Sequence, residues 1–359
     1  MWGQWLGKIS GDNNGIASLN IDRDLPFAGR ITIADNDPDK PSFHASVVLE
    51  HKGSNIIGRL SDFTLFSYTS DPDKRDAEES ALPKQGTLTG IEDKTKIEGQ
   101  WETDIGTKGA FFLNNFDDYY LKDADKKMSW DAFNEWALAE KRNNSGLIFR
   151  GHSDAAYTLQ TSFHRVGRRN LINYSSIDVP ELSRNVSATI GRSFSLFNAE
   201  EHGELLYLAQ HHGYPTPLLD WTESPYVAAY FSFHGLKREN LDGFVRIYQF
   251  DKDLWHQKHN VVTNIADPSP SFSALSLHAR DNKRALPQQS IVTFSNVFNI
   301  ELFINYHEEI DGQKYLKIID INKADRNLAM KDLEIMGITA ASLFPGLDGT
   351  CNALREKRF

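Results

Sequence analysis

The segment Phe149-Arg150-Gly151-His152 places a cation and an imidazole at the end of an apolar run. An arginine at the end of a buried strand can bind a phosphate or carboxylate through two parallel hydrogen bonds. A glycine beside it allows a ligand to approach the backbone, and His152 is a candidate substrate-contacting or acid–base group. A structural ion pair of Arg150 with a nearby acid is the alternative, and the sequence leaves both interpretations open.

The run from Leu218 to Pro225 carries a second set of polar side chains. Asp220 and Thr222 lie on a short predicted strand, and Ser224 directly precedes the proline that begins a predicted helix. Hydroxyls and the free N–H groups at a helix start bind anions well. The alternative is structural, with Ser224 only capping the helix and Asp220 bonded to the backbone.

Histidines are concentrated in the same part of the chain. The cluster comprises His152, His164, His202, His211 and His212. The adjacent pair lacks the i, i+4 spacing that directs two metal ligands from one helix face. We therefore expect one packed and one exposed histidine in that pair, and no bound metal. A nearby basic run of three arginines, between residues 165 and 169, is either a solvated face or a phosphate contact.

Standard nucleotide-binding and hydrolase motifs are absent from the chain. It has no G-x-x-x-x-G-K-[ST], G-x-G-x-x-G or G-x-S-x-G pattern, so P-loop, Rossmann and serine hydrolase assignments have no support. A metal-dependent nuclease is also disfavoured, because no carboxylate cluster has metal-binding spacing.

The elements that must position these residues alternate irregularly between strands and helices. Strands are predicted at 147–150, 218–221, 244–250, 290–294 and 315–319, and helices from 129, across 181–212, at 225–233 and at 325–336. Ser129 is a good helix N-cap, and Gly337 suits a helix end. Strands interleaved with helices of unequal length indicate an α+β fold.

Residues 1–115 instead show short apolar alternations separated by turn clusters. Predicted strands cover 16–21, 29–34, 42–49, 56–67, 87–89, 96–103 and 109–113. This spacing is typical of an antiparallel β sandwich or barrel, and the polar stretch 70–84 is a predicted exposed loop. We therefore predict two domains: an all-β domain at 1–115 that senses a signal or binds a protein partner, and an α+β domain at 116–359.

Composition narrows the classes of function. The chain has 359 residues and a formal net charge of -10, which argues against a protein that coats nucleic acid by bulk charge. A single cysteine, Cys351, excludes an internal disulfide and a thiolate zinc site. We expect a cytoplasmic protein without membrane association, because no apolar run reaches the ~18 residues of a membrane span and the N-terminus does not read as a signal peptide.

Four ordered motifs resemble the FRG domain family, which is named for its Phe-Arg-Gly triplet. They are Phe149 to Gly151, Gln210 to Phe231, Arg284 to Thr293 and Leu333 to Gly349. The resemblance covers about residues 128–359. Two departures stand at the predicted pocket edge: Pro217 where the family pattern has Arg, and Ser290 where it has Gly.

The order of these parts also resembles, more distantly, an ADP-ribosyltransferase of the Arg–Ser–Glu type. This resemblance implies that Arg150 binds the phosphates of NAD and that Thr222 and Ser224 shape the nicotinamide pocket. Tyr230 would supply an aromatic wall. The implied cofactor-binding residues are Arg150, Gly151, His152, Thr222, Ser224 and Tyr230.

The resemblance fails at its third part, because the late strand opens with Gln288-Gln289 where that family has a catalytic Glu. Transfer from NAD passes through an oxocarbenium-like state that a carboxylate stabilises. An amide can orient the reacting groups but carries no charge to stabilise that state. Three interpretations stay open. Gln288 serves a reaction that needs orientation only, Asp220 or Glu301 supplies the charge, or the pocket binds a nucleotide without turnover. The candidate catalytic residues are Arg150, Gln288 and Asp220.

We therefore expect a bacterial ADP-ribosyltransferase or NAD glycohydrolase that acts as a toxin or phage-defence effector, with a protein or nucleic acid as acceptor. The alternative is a catalytically silent module that binds a nucleotide or a partner. Both require that Arg150, Thr222, Ser224 and Gln288 converge on one cavity.

Overall fold

A computed structural model describes residues 1–37, 40, 42–65, 78–117, 120–237, 241–262, 269–277 and 282–358. The first part of the predicted loop at 70–84 lies outside the described residues. In its remaining part, residues 79–81 and 84 are exposed as predicted, while residues 78–80 are helical and Leu82 and Pro83 are buried.

The first eight strands form a closed antiparallel barrel in which each strand pairs with the next and the last pairs with the first. They are β1 Gly3–Gly11, β2 Gly15–Ile21, β3 Ala28–Asp35, β4 Phe43–Lys52, β5 Asn55–Leu65, β6 Gly86–Glu92, β7 Lys96–Thr103 and β8 Lys108–Asn115. The antiparallel prediction is confirmed, with the barrel as the correct alternative. The prediction missed β1, because Gly3, Gly7 and Gly11 interrupt its apolar alternation.

Alternation along the barrel strands points one set of side chains inward. The inward set includes Trp5, Ala17, Leu19, Ile31, Val47, Leu88, Ile97 and Phe111. On β1 the outward-facing Gln4 and Leu6 are buried as well. Leu6 packs among residues of the second half of the chain, so one side of the barrel is covered by that half.

The second half of the chain is built on a seven-stranded sheet with the order β13-β14-β11-β10-β12-β15-β9. Its strands are β9 Lys126–Met128, β10 Leu147–His152, β11 Leu218–Thr222, β12 Phe244–Asp251, β13 Phe272–Leu275, β14 Ser290–Ser295 and β15 Leu316–Asn322. All neighbours are antiparallel except β9 and β15. The five strands predicted for this half are confirmed; β9 and β13 are short strands that lacked a clear period.

Helices pack on both faces of this sheet, which confirms a mixed α and β second half. They are α1 Trp130–Asn143, α2 Ser162–Arg165, α3 Leu171–Asn173, α4 Val179–Ile190, α5 Ala199–His211, α6 Pro225–Phe233, α7 Lys252–His256, α8 Ile300–Asp311, α9 Arg326–Ile335, α10 Ala340–Leu343 and α11 Leu347–Arg358. As predicted, Ser129 caps α1 by accepting a hydrogen bond from the Ala132 N–H. In the described part of the chain, no helix combines the length and apolarity needed to cross a membrane.

Two arginines of the basic run join the second half to the barrel. Arg169 donates to both carboxylate oxygens of Asp117, at 2.8–3.1 Å, and its guanidinium lies 3.9 Å from the Phe298 ring centroid. Arg168 pairs with Asp22 of the barrel at 2.8 Å and with Asp178 at 2.7 Å. Neither arginine is the solvated or phosphate-binding residue that the sequence suggested; both are ion-paired at an internal interface.

Backbone and amide hydrogen bonds extend this interface. The Gln4 side chain donates to the Asn296 carbonyl at 2.8 Å and accepts from the Phe298 N–H at 2.9 Å. Asp22 Oδ1 accepts from the N–H groups of Arg169 and Asn170. Since every one of these contacts joins a barrel residue to the second half, the relative position of the two is specified by directional bonds.

We predict that Asp117→Ala lowers the free energy of unfolding by about 3 kcal/mol, because the side chain of Arg169 is 1% exposed and loses its counter-charge in a buried place. Urea denaturation followed by tryptophan fluorescence measures the loss. Glu98→Ala is the matched control, since it removes a carboxylate from the exposed Lys96–Glu98 pair on the barrel surface and should cost less than about 1 kcal/mol. Equal losses in the two variants would contradict a stabilising interface pair.

Candidate functional site

A cavity of about 910 Å³ opens where strands β10 and β11 separate. A single residue pair, Phe149 with Thr222, joins these neighbouring strands, whereas β10 pairs with β12 along its whole length. The strands diverge beyond that pair, and the cavity occupies the gap. Arg150, Gly151, His152, Asp220, Thr222 and Gln288 all line it.

Arg150 is held in the gap by neutral acceptors. Its Nε donates to Nε2 of His152 at 3.1 Å, and its Nη1 donates to the main-chain carbonyl of Asp220. Burial lowers the pKa of Arg150 to about 10, so the guanidinium remains charged at neutral pH. It forms no ion pair with a described carboxylate, which leaves its charge available to a ligand.

His152 positions Arg150 and is not a proton carrier. Because Arg150 Nε must donate, His152 Nε2 accepts; the proton of the neutral ring is then on Nδ1, which donates to the Tyr157 carbonyl at 3.2 Å. Burial, reinforced by the charge of Arg150, lowers the pKa of His152 to about 3. The predicted acid–base role is therefore corrected: both nitrogens are engaged and the ring is neutral.

Gly151 is required by the packing of helix α6 against β10. A Cβ at this position would lie 1.9 Å from the main-chain oxygen of Ala228, a distance that no side chain can occupy. Gly151 also lines the cavity, so the packing of the helix backbone adds a structural requirement to the predicted approach of a ligand.

Two further arginines line the same cavity. Arg165 donates to the Gln160 carbonyl at 2.7 Å, and the Arg284 guanidinium lies 5.2 Å from the Phe344 ring centroid. Within the described chain, neither forms an ion pair with a carboxylate. With Arg150 they give the cavity three positive charges.

Asp220 supplies the negative charge among the described lining residues. It is exposed to the cavity, and its Oδ1 accepts from Gln210 Nε2 at 2.7 Å. Gln210 in turn accepts from the Thr216 hydroxyl. The carboxylate is thus oriented by a short hydrogen-bonded chain, and its main-chain carbonyl binds Arg150.

Thr222 and Gln288 are bonded to each other. The Thr222 hydroxyl donates to the Gln288 carbonyl at 2.7 Å and accepts from the Ser224 N–H at 3.1 Å. The Gln288 side-chain amide donates to the Leu343 carbonyl at 3.0 Å. Thr222 therefore fixes the segment before β14 at the cavity edge, and its hydroxyl has no remaining hydrogen to donate to a ligand.

Three residues considered for the site lie elsewhere. Ser224 caps α6 by accepting from the Val227 N–H and does not line the cavity. Tyr230 is fully buried, with its hydroxyl hydrogen-bonded to Glu356. Glu301 is buried under the sheet, where it accepts from Tyr248 at 2.7 Å. These assignments are corrected, because the rotation of α6 turns Ala228 and Phe231 to the cavity and Tyr230 away from it.

Sequence reasoning left several lining residues unassigned. They include Tyr157, Tyr207, His211, Trp221, Phe231, Arg284 and Phe344. Arg284 and Phe344 stand in two of the four motifs that carried the family resemblance, so those motifs contained the signal. His211 faces the cavity and His212 is exposed.

Comparisons with known proteins support the family resemblance over part of the chain. The family model described as FRG domain matches residues 145–240, a range that includes β10, β11 and α6 but ends before Arg284 and Gln288. Two relatives are described as urease accessory protein UreF, from two strains of Ureaplasma parvum serovar 3. Each is 35% identical over 68 residues, which cover 19% of this chain and 28% of the relative. No solved structure gives a significant match.

We predict that Gly151→Ala destabilises the protein by about 3 kcal/mol, because the added methyl must push β10 away from α6. Chemical denaturation measures the change. Gly203→Ala is the matched control: its Cβ would contact only the end of the Leu277 side chain, which can move, and alanine favours the helix. A destabilisation by Gly203→Ala as large as that by Gly151→Ala would contradict the packing argument.

We predict that His152 makes the protein less stable as the pH falls below 6.5, its ordinary pKa. The unfolded chain binds a proton between that value and about 3, and the folded chain does not, so folding is disfavoured as the pH decreases through this window. Between about pH 7 and pH 5.5, the native protein should lose about 1 kcal/mol more than His152→Gln, whose amide can also accept from Arg150. Parallel losses in both proteins would contradict the neutral-ring assignment.

Proposed function

We propose that the cavity, which is formed in part by the residues 145–240 that match the FRG domain model, binds NAD and that the protein transfers ADP-ribose to an acceptor or to water. One observation carries the proposal: Arg150, Arg165 and Arg284 face one cavity, and no described carboxylate is ion-paired with them. Arginines that face a cavity without a paired carboxylate are available to bind an anionic ligand through charge-assisted hydrogen bonds.

The lining suits a nucleotide in its remaining features. The volume of about 910 Å³ lies within the range of cofactor sites. Arginines bind phosphate oxygens through paired hydrogen bonds, and Tyr157, Phe231 and Phe344 offer ring surfaces to a base. A pyrophosphate near the arginines would leave the aromatic walls for the nicotinamide and adenine rings.

Asp220 is the group that we propose to stabilise the reaction. In the transfer, the bond between the nicotinamide nitrogen and C1′ of the ribose breaks, nicotinamide leaves with the bonding electrons, and the acceptor oxygen or nitrogen bonds to C1′ and releases its proton to solvent. Positive charge develops on the ribose, and an oriented carboxylate in a restricted cavity stabilises it. The Asp220 carboxylate is oriented by a hydrogen bond of 2.7 Å from Gln210. The uncharged amide of Gln288 could orient the reacting groups but could not stabilise the positive charge.

A second candidate is a nucleotide-binding module without turnover. It is favoured by the amide at position 288, which is already bonded to the Leu343 carbonyl at 3.0 Å. In this case the barrel would bind a protein partner and the cavity would sense the nucleotide. If the first candidate is correct, the protein would act as a toxin or phage-defence effector by depleting NAD or by modifying an acceptor.

Labelled NAD distinguishes the two candidates. We expect NAD to raise the melting temperature of the full chain and label to be transferred, either to an acceptor in cell extract or to free ADP-ribose. Arg165→Gln and Arg284→Gln should each weaken NAD binding by about 10- to 100-fold, the worth of a charge-assisted hydrogen bond. Asp220→Asn should retain binding but lower turnover by about 100-fold or more.

Arg184→Gln is the matched control, because Arg184 is exposed on α4 and does not line the cavity. It should bind and turn over NAD like the native protein. Stabilisation by NAD without label transfer would select the silent binding module. If NAD neither stabilises the protein nor is consumed, both candidates are wrong for this ligand.

A further inference from the structure

We propose that His259, His307 and Asp311 form a binding site for a divalent transition metal, with Zn²⁺ as the expected ion. One ligand atom from each residue lies within 4.8 Å of the others, the arrangement that three protein ligands around one ion require. None of the three lines the arginine cavity, so this site is separate from the proposed nucleotide site.

Two elements bring the ligands together. His307 and Asp311 are four residues apart on α8, the spacing that places two side chains on one helix face. His259 follows α7, where its N–H donates to the Trp255 carbonyl at 2.9 Å. The prediction that no metal is bound rested on the adjacent pair His211–His212 and overlooked this i, i+4 pair.

Neighbouring side chains fix the orientation of the ligands. Trp255 is buried and stacks on His259 at 3.9 Å between ring centroids, and it makes a T-shaped contact with the His307 ring at 5.5 Å between centroids. The Tyr315 hydroxyl donates to Asp311 Oδ2 at 2.7 Å. Such outer hydrogen bonds and packed rings are what hold metal ligands in place.

The bonding of the two imidazoles is consistent with ligation. His259 Nε2 lies 2.9 Å from Asp311 Oδ2, a contact that an ion between the two atoms would replace. No described residue forms a hydrogen bond with the His307 ring, although His307 is half-buried. Its lone pair therefore has no assigned partner in the structure.

The ligand set indicates the class of ion. Two imidazoles and one carboxylate suit Zn²⁺ and related transition metals better than Mg²⁺ or Ca²⁺, which prefer oxygen ligands. Three protein ligands leave a fourth position for water, and the three residues are all partly exposed. Such an ion would connect the chain after α7 to the end of α8.

Metal content and metal affinity test the site. The full chain, free of any affinity tag, is stripped with EDTA and dialysed against Zn²⁺, and bound metal is measured by mass spectrometry. We expect about one ion per chain and a higher melting temperature with Zn²⁺. Replacing Zn²⁺ by Co²⁺ should give the visible absorption of a four-coordinate site.

Variants separate this site from incidental binding. His307→Gln and Asp311→Asn should lose the ion while keeping the circular dichroism of the native protein. Tyr315→Phe, which removes only the hydroxyl that donates to Asp311, should weaken binding by about 10-fold. His212→Gln is the matched control, because His212 is exposed and distant in sequence, and it should bind normally.

The proposal is overturned if the native chain binds no Zn²⁺ or Co²⁺, or if His307→Gln and Asp311→Asn bind as much as the native chain. Should either variant fail to fold, Tyr315→Phe and the Co²⁺ spectrum of the native chain decide. An unchanged affinity in Tyr315→Phe, together with no four-coordinate Co²⁺ spectrum, would also overturn it.

Discussion

The Arg150 guanidinium, held between two separated strands, is the constraint on which the second half of the structure depends. Arginine keeps its charge in proteins, so Arg150 needs acceptors inside the sheet, and it finds them in the Asp220 carbonyl and the His152 ring. The carbonyl is free to accept because β10 and β11 share one residue pair. The placement of Arg150 between β10 and β11 therefore connects three features: the separation of the strands, the neutral His152 ring and the cavity.

The basic run between residues 165 and 169 links this arrangement to the barrel. Arg165 lines the cavity, while Arg168 pairs with Asp22 of the barrel and Arg169 pairs with Asp117, which follows β8 and accepts a hydrogen bond from the Gln4 N–H of β1. Asp22 and Asp117 therefore neutralise the interface arginines, whereas Asp220 is the one described carboxylate that lines the cavity with three arginines. The same short segment fixes the domain contact and supplies charge to the site.

The elements of the fold could be predicted from sequence more fully than the site. Period-2 alternation identified β2 to β8, and Ser129 marked the start of α1, because these signals are local. The gap between β10 and β11 depends on which residues pair, and nothing in either strand's own sequence shows that. Tyr230 was assigned to the cavity although Ala228 and Phe231 face it, since the rotation of α6 is set by its packing on Gly151.

The net charge of -10 and the three cavity arginines together favour a compact anionic ligand over a long polyanion. At physiological salt, fields are screened over about 8 Å, so a long polyanion approaching from outside meets mainly the acidic surface. A compact anion that enters the cavity comes within contact distance of Arg150, Arg165 and Arg284, where the local charge exceeds that of Asp220. On the proposed function, the location of the positive charges favours a nucleotide over a nucleic acid as the ligand, and Asp220 is the one described lining group with the negative charge needed to stabilise a developing cation.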